Sequence, residues 1–566
     1  MLLAAATSAP AETPARTVAK ACRAHGLAGG LIVHLGCGDG KATATLRPSD
    51  RFLVHGLDAD AAMVRAAREH LTQLGLYGPV SVDVWTGPRL PYADNLVNLV
   101  VVSGAGRGPS REEILRVLAP GGVALVEGRT IVKPRPDDVD DWTHYFHTAN
   151  GNAVSTDRRI APLTRLQWDG PPRWSRSHET DMSLTAAVAA GGTIFHTLDE
   201  GPIGIHETPL TTRRLPDKCS LVARDAYNGI ELWRRPLPGW GSAAWDNARW
   251  RFGKRDQMWS SPLTLPRRLV ALGDRVYMTM GFRAPVSELD AVTGLTIREF
   301  PATRDTEELV VHDGILLARA RRKKGDEAVV AVELASARVL WTRPAGKVDD
   351  LTLAASGTRV CFVNEKGLIA LDLRTGRERW QVSLGQRPRR TAPAFTLILR
   401  DDVVLVARPG SVRAMAAADG RGLWTAKTNA SFRGPPDVFV AGGLVWVGTL
   451  TTRGLDLKTG RVKKEIRPGS LFTSGHHSRC HRARATEQYL LFSKRGIEFL
   501  DLRGDEHMRH DWVRGTCRYG IIPANGLIYA PTHPCACYPE AKLNGFNALA
   551  LARDVPADPE AEARSR

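Results

Sequence analysis

No stretch of the 566 residues approaches 18 consecutive apolar positions, so the chain offers no candidate transmembrane helix. It also lacks basic blocks. The formal charge is +17, yet the longest Lys/Arg run is Arg321 to Lys324, and such dispersed, mostly Arg charge argues against a nucleic-acid partner. A closed zinc pattern is missing as well. Cys480, Cys517, Cys535 and Cys537 gather near the end of the chain with His476, His477, His481 and His533. Their His-His-x-x-Cys-His and Cys-x-Cys spacings match no standard four-ligand motif. These four cysteines are candidates for two disulfides in an oxidising compartment, for a metal site, or for free thiols.

What is present is uneven. Residues 1–150 hold 15 basic and 15 acidic side chains, so the whole positive excess belongs to the remainder. A basic second region can attract an acidic polysaccharide or an anionic surface. The length exceeds what one ordinary core supports, so at least two domains are expected. The opening "MLLAAATSAPAETPA" reads in two ways: as a signal-peptide remnant, which implies a periplasmic or otherwise extracytoplasmic protein, or as a disordered tail on a cytoplasmic one.

From residue 221 onward one phrase recurs: an apolar run, an acidic residue, a turn ending in Gly, and often a Trp. It reads Asp225 to Gly229 with Trp233, Asp372 to Gly376 with Trp380, and Asp419-Gly420 with Trp424. Taking Asp225, Asp290, Glu333, Asp372, Ala416, Asp456, Asp501 and Asn547 as equivalent, the steps are 65, 43, 39, 44, 40, 45 and 46 residues. That period, with β-type apolar runs, is propeller-blade spacing, and eight copies predict eight blades. In "LIALDLRTGRERW" the run Leu368 to Leu373 is a strand, Arg374-Thr375-Gly376 is its turn, and Trp380 opens the next strand. The Trp is expected to wedge against the neighbouring blade.

Ala370-Leu371-Asp372-Leu373-Arg374-Thr375-Gly376 with Trp380 resembles, position for position, the docking motif Ala-x-Asp-x-x-Thr-Gly-x-x-x-Trp of the quinoprotein-like propellers. The resemblance covers roughly residues 160–552. Members that hold pyrroloquinoline quinone use a disulfide between adjacent cysteines and a calcium site. Here Ala536 separates Cys535 from Cys537, which argues against the quinone. The segment from Leu163 to Trp174 is expected to supply a strand that closes the ring with the last blade.

The first region is of another kind. "LIVHLGCGDG" is an apolar strand entering a glycine-rich turn, and Asp58 follows Gly36 by 22 residues at the end of a second strand, "FLVHGLD". Glycines let backbone approach a ligand, and a carboxylate after the second strand takes ribose hydroxyls. An NAD site would want glycine at position 41, where Lys41 stands. The Gly-x-Gly-x-Gly form resembles motif I of the class I S-adenosylmethionine-dependent methyltransferases.

Further segments agree with that resemblance. Asp60 can cap a helix whose apolar face is Met63, Ala67, His70, Leu71 and Leu74, and Ser110 with Glu113 forms a capping box for another. "VSVDVW" carries Asp83, and "LPYADNLVNLVVVSG" and "SREEILRVLAPGGVALVEG" resemble the family's later motifs. The resemblance implies that Gly36, Cys37, Gly38 and Gly40 cradle S-adenosylmethionine, that Asp58 binds its ribose, and that Asp83 lies near its adenine. The chain departs from the family in having Asn98 in place of an acidic residue. It also leaves no room after Glu127 for the usual sixth and seventh strands.

Between the two regions, Asp141, His144 and His147 in "DDVDDWTHYFHTANGN" recur every three residues. On one helical turn they would share a face and could bind a metal, or they belong to a plain linker helix. Arg173, His178, Glu179 and Asp181 follow closely. A longer first repeat step contains Trp240, Trp245, Trp250 and Trp259 among Arg249, Arg251 and Arg255, which suits either a stacking platform for a planar ligand or packing against the propeller.

The expected layout is a tail or signal remnant at 1–25, an α/β Rossmann domain at 26–130, a linker at 131–160, an all-β eight-bladed propeller at 161–553 and a disordered tail at 554–566. The arrangement looks like a bacterial family of methyltransferase-like domains fused to such propellers. It implies an S-adenosylmethionine-dependent methyltransferase whose propeller binds or presents an acceptor or partner. Its alternatives are an extracytoplasmic binding or assembly scaffold with a degenerate Rossmann domain, and a propeller oxidoreductase with a metal or quinone. No side chain is identifiable as a catalytic base.

Overall fold

The computed structural model describes residues 13–103, 108–162, 165–176, 182–202, 216–241, 244–245, 262–323, 326–387, 394–428, 435–449, 451–472, 481–532 and 543–551. It divides into two compact units, Met1–Pro136 with Tyr227–Trp233, and Asp137–Ala226 with Arg234–Arg566.

In the first unit α1 (Pro14–Ala24) precedes β1 (Gly30–Leu35), β2 (Phe52–Asp58), α2 (Ala61–Gln73), β3 (Val80–Val84), β4 (Val97–Val102), α3 (Arg111–Val117), β5 (Leu118–Val126) and β6 (Arg129–Val132). The sheet order is β3-β2-β1-β4-β5-β6. The first five strands run parallel and β6 returns antiparallel on β5. Near-continuous apolar strands fit a parallel sheet covered on its faces: Ile32, Val54, Val82, Leu99 and Val123 pack with Val64, Ala67 and Leu71 of α2. The face expected for α2 is partly corrected, because Met63 and Leu74 are exposed and Val64 takes the inward place. Asp60 caps α2 as expected, accepting from Ala62 N at 2.7 Å. The capping box on α3 is only half made. Ser110 Oγ accepts from Glu113 N, but the Glu113 carboxylate accepts from Leu90 N at 2.6 Å and pairs with Arg116.

The second unit holds eight sheets, seven antiparallel ones of four strands and one of five, in which Val154–Ser155 joins four antiparallel strands in parallel, forming an eight-bladed propeller. Six blades show a β-bulge two residues before the end of the third strand, as between Ala370 and Leu371. In the eighth blade the bulge falls between Ala548 and Leu549, so Ala550, not Asn547, is the residue equivalent to Asp372. The outermost strand of that blade is β8 (Arg165–Gly170), following the two-residue β7 (Val154–Ser155), so the N-terminal side of the unit closes the ring.

The repeat's residues carry its joints. Asp372 Oδ1 accepts from Arg374 N, Thr375 N and Thr375 Oγ1, which shapes the turn. Trp341 Nε1 donates to Leu373 O at 2.9 Å, Trp380 to Ala417 O at 3.0 Å and Trp424 to Leu457 O at 2.9 Å, each to the next blade. Trp168 of β8 repeats the bond to Ala226 O at 2.8 Å, so the eighth blade meets the first in the same way.

Residues 140–157 make no helix. They run around the axis and bond to the innermost strand of seven blades and to the turn beside that of the eighth. Trp142 pairs with Ala189, Thr143 O accepts from Ala271 N, and His144 Nε2 accepts from Val311 N. Ala149 O accepts from Ala355 N, Asn150 O from Leu399 N and Asn152 Oδ1 from Val440 N. Ala153 O accepts from Ala485 N, and Asp140 O from Asn525 N, which reaches the eighth blade.

Candidate functional site

The glycine loop leaves the C-terminal end of β1, where ligands of open α/β sheets bind. Gly36, Gly38 and Gly40 have φ of +76°, +52° and +81°, a region that favours glycine. Two of them are also crowded. A Cβ on Gly36 would overlap the Ser103 carbonyl, and one on Gly40 would come within 2.8 Å of the Ala67 side chain on α2. Among the described residues nothing lies within 4 Å of that position at Gly38, so the loop presents bare backbone there. Gly36 N and Cys37 N both donate to Leu57 O, at 2.8 and 3.2 Å.

Asp58 is brought directly to this loop. Its Oδ2 accepts from Gly38 N at 2.8 Å and its Oδ1 from Asp60 N at 3.0 Å. A carboxylate has about four lone-pair positions, so capacity for two hydroxyl donors remains. Cys37 turns its side chain into the core against Gly56. Burial pushes its thiol up to about 11, so the residue serves the loop through its backbone.

Asp83 stands one strand away, in register with Leu57, and its carboxylate is held by Arg68 and by His55 Nε2 at 3.2 Å. Asn98 lies at the opposite end of its strand from the glycine loop, where its Oδ1 accepts from Leu31 N at 2.8 Å. Its place at the start of β4 makes it a peg between strands. A polar residue not singled out from the sequence is His34. Its Nδ1 bonds Thr43 Oγ1 and its Nε2 bonds Ser103 Oγ, both at 2.8 Å. Burial lowers its pKa to about 4 against the pull of Asp58, so a neutral imidazole ties the loop to the end of β4. The signal was the single polar residue inside "LIVHL".

Asp141, His144 and His147 do not share a helical face, which corrects the expected helical turn. Asp141 Oδ1 accepts from Gly191 N, His144 uses Nδ1 on Thr143 Oγ1 and Nε2 on Val311 N, and His147 Nε2 meets Asp140 at 2.7 Å. Burial holds His144 down at about 3. Among the described residues no three His, Cys, Asp or Glu side chains are grouped to hold a metal. Cys517 is buried, while Cys480, Cys535 and Cys537 lie outside the described residues. So do His178, Glu179, Asp181, Trp250 and Trp259 with their arginines. Trp240 is buried and donates to Thr279 O at 3.0 Å, as packing onto the propeller requires.

Residues 32–122 match a family model described as "Methyltransferase domain", and residues 217–465 match one described as "Outer membrane protein assembly factor BamB". Methyltransferase GfsG of Streptomyces halstedii is 31% identical over 117 residues, 20% of this chain and 42% of that protein. The ubiquinone/menaquinone biosynthesis C-methyltransferase UbiE of Hydrogenovibrio crunogenus is 33% identical over 105 residues, 17% of this chain and 41% of that one. The chain thus spans about two fifths of these relatives. The solved structure of BamB from Moraxella catarrhalis is 14% identical, with a TM-score of 0.33 over 50% of this chain and 96% of that one. The chain therefore joins an N-terminal methyltransferase domain to an eight-bladed, quinoprotein-like propeller.

Proposed function

We propose that the chain is an S-adenosylmethionine-dependent methyltransferase whose propeller binds or presents the acceptor or a partner. The observation that carries this reading is the open, glycine-only backbone at Gly38, held at 2.8 Å by Asp58. Gly36 and Gly40 set the loop's path, Gly38 leaves room for the ligand, and Asp58 offers its remaining lone pairs to ribose hydroxyls. Asp83, held by Arg68 and His55, lies near the adenine with acceptor positions to spare. When bound, S-adenosylmethionine supplies an electrophilic methyl group, and the chain's contribution is to orient it toward a nucleophile.

Calorimetric titration with S-adenosylmethionine and S-adenosylhomocysteine tests this. Saturable binding is expected, weakened at least about tenfold in Asp58→Ala and in Gly38→Ala, where a methyl would enter the ligand's space. The match of the propeller to an assembly-factor family favours a second reading, a scaffold whose Rossmann domain has lost its cofactor. Folded protein that binds neither compound would sink the transferase and leave that one.

A further inference from the structure

The joint between the sixth and seventh blades departs from the repeat. Where Trp341, Trp380 and Trp424 stand on the outer strands of the three preceding blades, the strand Val462–Ile466 carries Lys464. Its Nζ donates to Leu502 O at 2.8 Å and to Arg503 O at 3.0 Å, so an ammonium makes the bond that an indole makes elsewhere. Between the same two blades lies an open cleft of about 700 Å³, a size that suits a small ligand. One wall is the stretch that follows this strand, from Arg467 to Leu471, and the other is Asp505, His507 and Arg509 of the seventh blade.

Each blade contributes one arginine, and each arginine is steadied by a carboxylate two residues away that does not line the cleft. Arg467 Nε and Nη2 lie 2.9 and 2.8 Å from Glu465, and Arg509 Nε lies 3.0 Å from Asp511. A guanidinium carries five N–H donors in a planar fork, and contacts on the Nε side set the plane of that fork. Arg467 Nη1 has no partner among the described residues. His507 Nδ1 accepts from Asp501 N at 3.1 Å, so in the neutral ring the proton sits on Nε2 and makes that atom a donor. Asp505 and Ser470 add oxygen acceptors, and Pro468 and Leu471 add an apolar patch.

We infer that this cleft binds a hexuronic acid unit of an acidic polysaccharide. The sugar carboxylate takes the forks of Arg467 and Arg509 in charge-assisted bonds. Ring hydroxyls donate to Asp505 and Ser470 and accept from His507 Nε2, and the C–H face of the ring lies on Pro468 and Leu471. An ion such as phosphate would use the arginines but would set Asp505 against a second anion, whereas a hydroxylated carboxylate satisfies both signs of charge. The open shape admits a unit within a polymer, and the chain's formal charge of +17 draws a polyanion toward it. The assignment concerns the propeller alone and does not rest on the proposed methyl transfer.

Titration of the full chain at neutral pH with glucuronate, glucose and acetate, followed by the ligands' NMR signals, tests the inference. Glucose lacks the carboxylate, and acetate lacks the hydroxyls. Saturable glucuronate binding is expected, with glucose and acetate each at least about tenfold weaker. Arg467→Gln should lower glucuronate affinity at least about tenfold, and because that side chain is 79% exposed the fold should not depend on it. A crystal structure of the unsubstituted protein grown with glucuronate should show the carboxylate on Arg467 Nη1. Absence of saturable binding, glucose or acetate bound as tightly as glucuronate, affinity unchanged in the variant, or the sugar found elsewhere would each overturn the assignment.

Discussion

At the residue scale, the repeat's glycine answers two demands at once. Gly376 has φ +65°, and a Cβ there would sit 2.6 Å from the indole of Trp341 on the preceding blade. Gly420 meets Trp380, and Gly460 meets Trp424, in the same way. Gly314 has a similar φ, +69°, but among the described residues nothing lies within 4 Å of its Cβ position. The pair separates backbone strain from close packing. Gly314→Ala should cost about 1 kcal/mol, the strain of a left-handed non-glycine residue. Gly376→Ala adds overpacking of about 1–3 kcal/mol, because Trp341 is pinned by its bond to Leu373 O. Thermal midpoints of the two variants measure the difference. Equal shifts would mean that the indole yields freely and that the glycine answers to φ alone.

At the element scale, legibility followed periodicity. The blade count, the Trp wedge and the closing strand were readable because Asp, Gly and Trp recur at fixed offsets tied to one local turn. So was the contact of the glycine loop with Asp58, since both lie at adjacent strand ends. The circling segment was not readable, because its bonds use carbonyls and single side chains of an irregular stretch, which leave no period. The three-residue spacing of Asp141, His144 and His147 imitated a helical face, while Val311 N and Asp140 had already claimed the imidazoles. Asn152 shows what such a segment contributes. Its amide accepts from Val440 N at 3.0 Å and donates to Val440 O at 2.9 Å, standing in for a strand neighbour in the sixth blade. Asn152→Ala leaves two buried backbone groups unpaired, at about 1–3 kcal/mol each. A clear fall in the denaturant midpoint is expected, and an unchanged midpoint would show that water replaces the amide.

At the scale of the whole molecule, the propeller depends on chain that precedes its repeats. Residues 140–157 bond to seven inner strands and to Asn525 beside the eighth, and β8 supplies the outer strand of the eighth blade with its Trp168 joint to the first. At a net of about 1 kcal/mol per hydrogen bond, the circling segment alone contributes a sum comparable to the roughly 5–15 kcal/mol that holds a typical domain folded. Without β8, moreover, the eighth blade would expose the edge of the strand Phe546–Ala550 to pairing with other chains. Two truncations distinguish this dependence from a general intolerance of shortening. A chain beginning at residue 137 keeps the segment and the closing strand, and should melt in one cooperative transition. A chain beginning at residue 171 loses both while retaining the innermost strands of every blade, and should aggregate or melt without cooperativity. Cooperative melting of the shorter chain near the temperature of the longer one would show that neighbouring blades hold the ring by themselves, and that the segment rests in a channel already made.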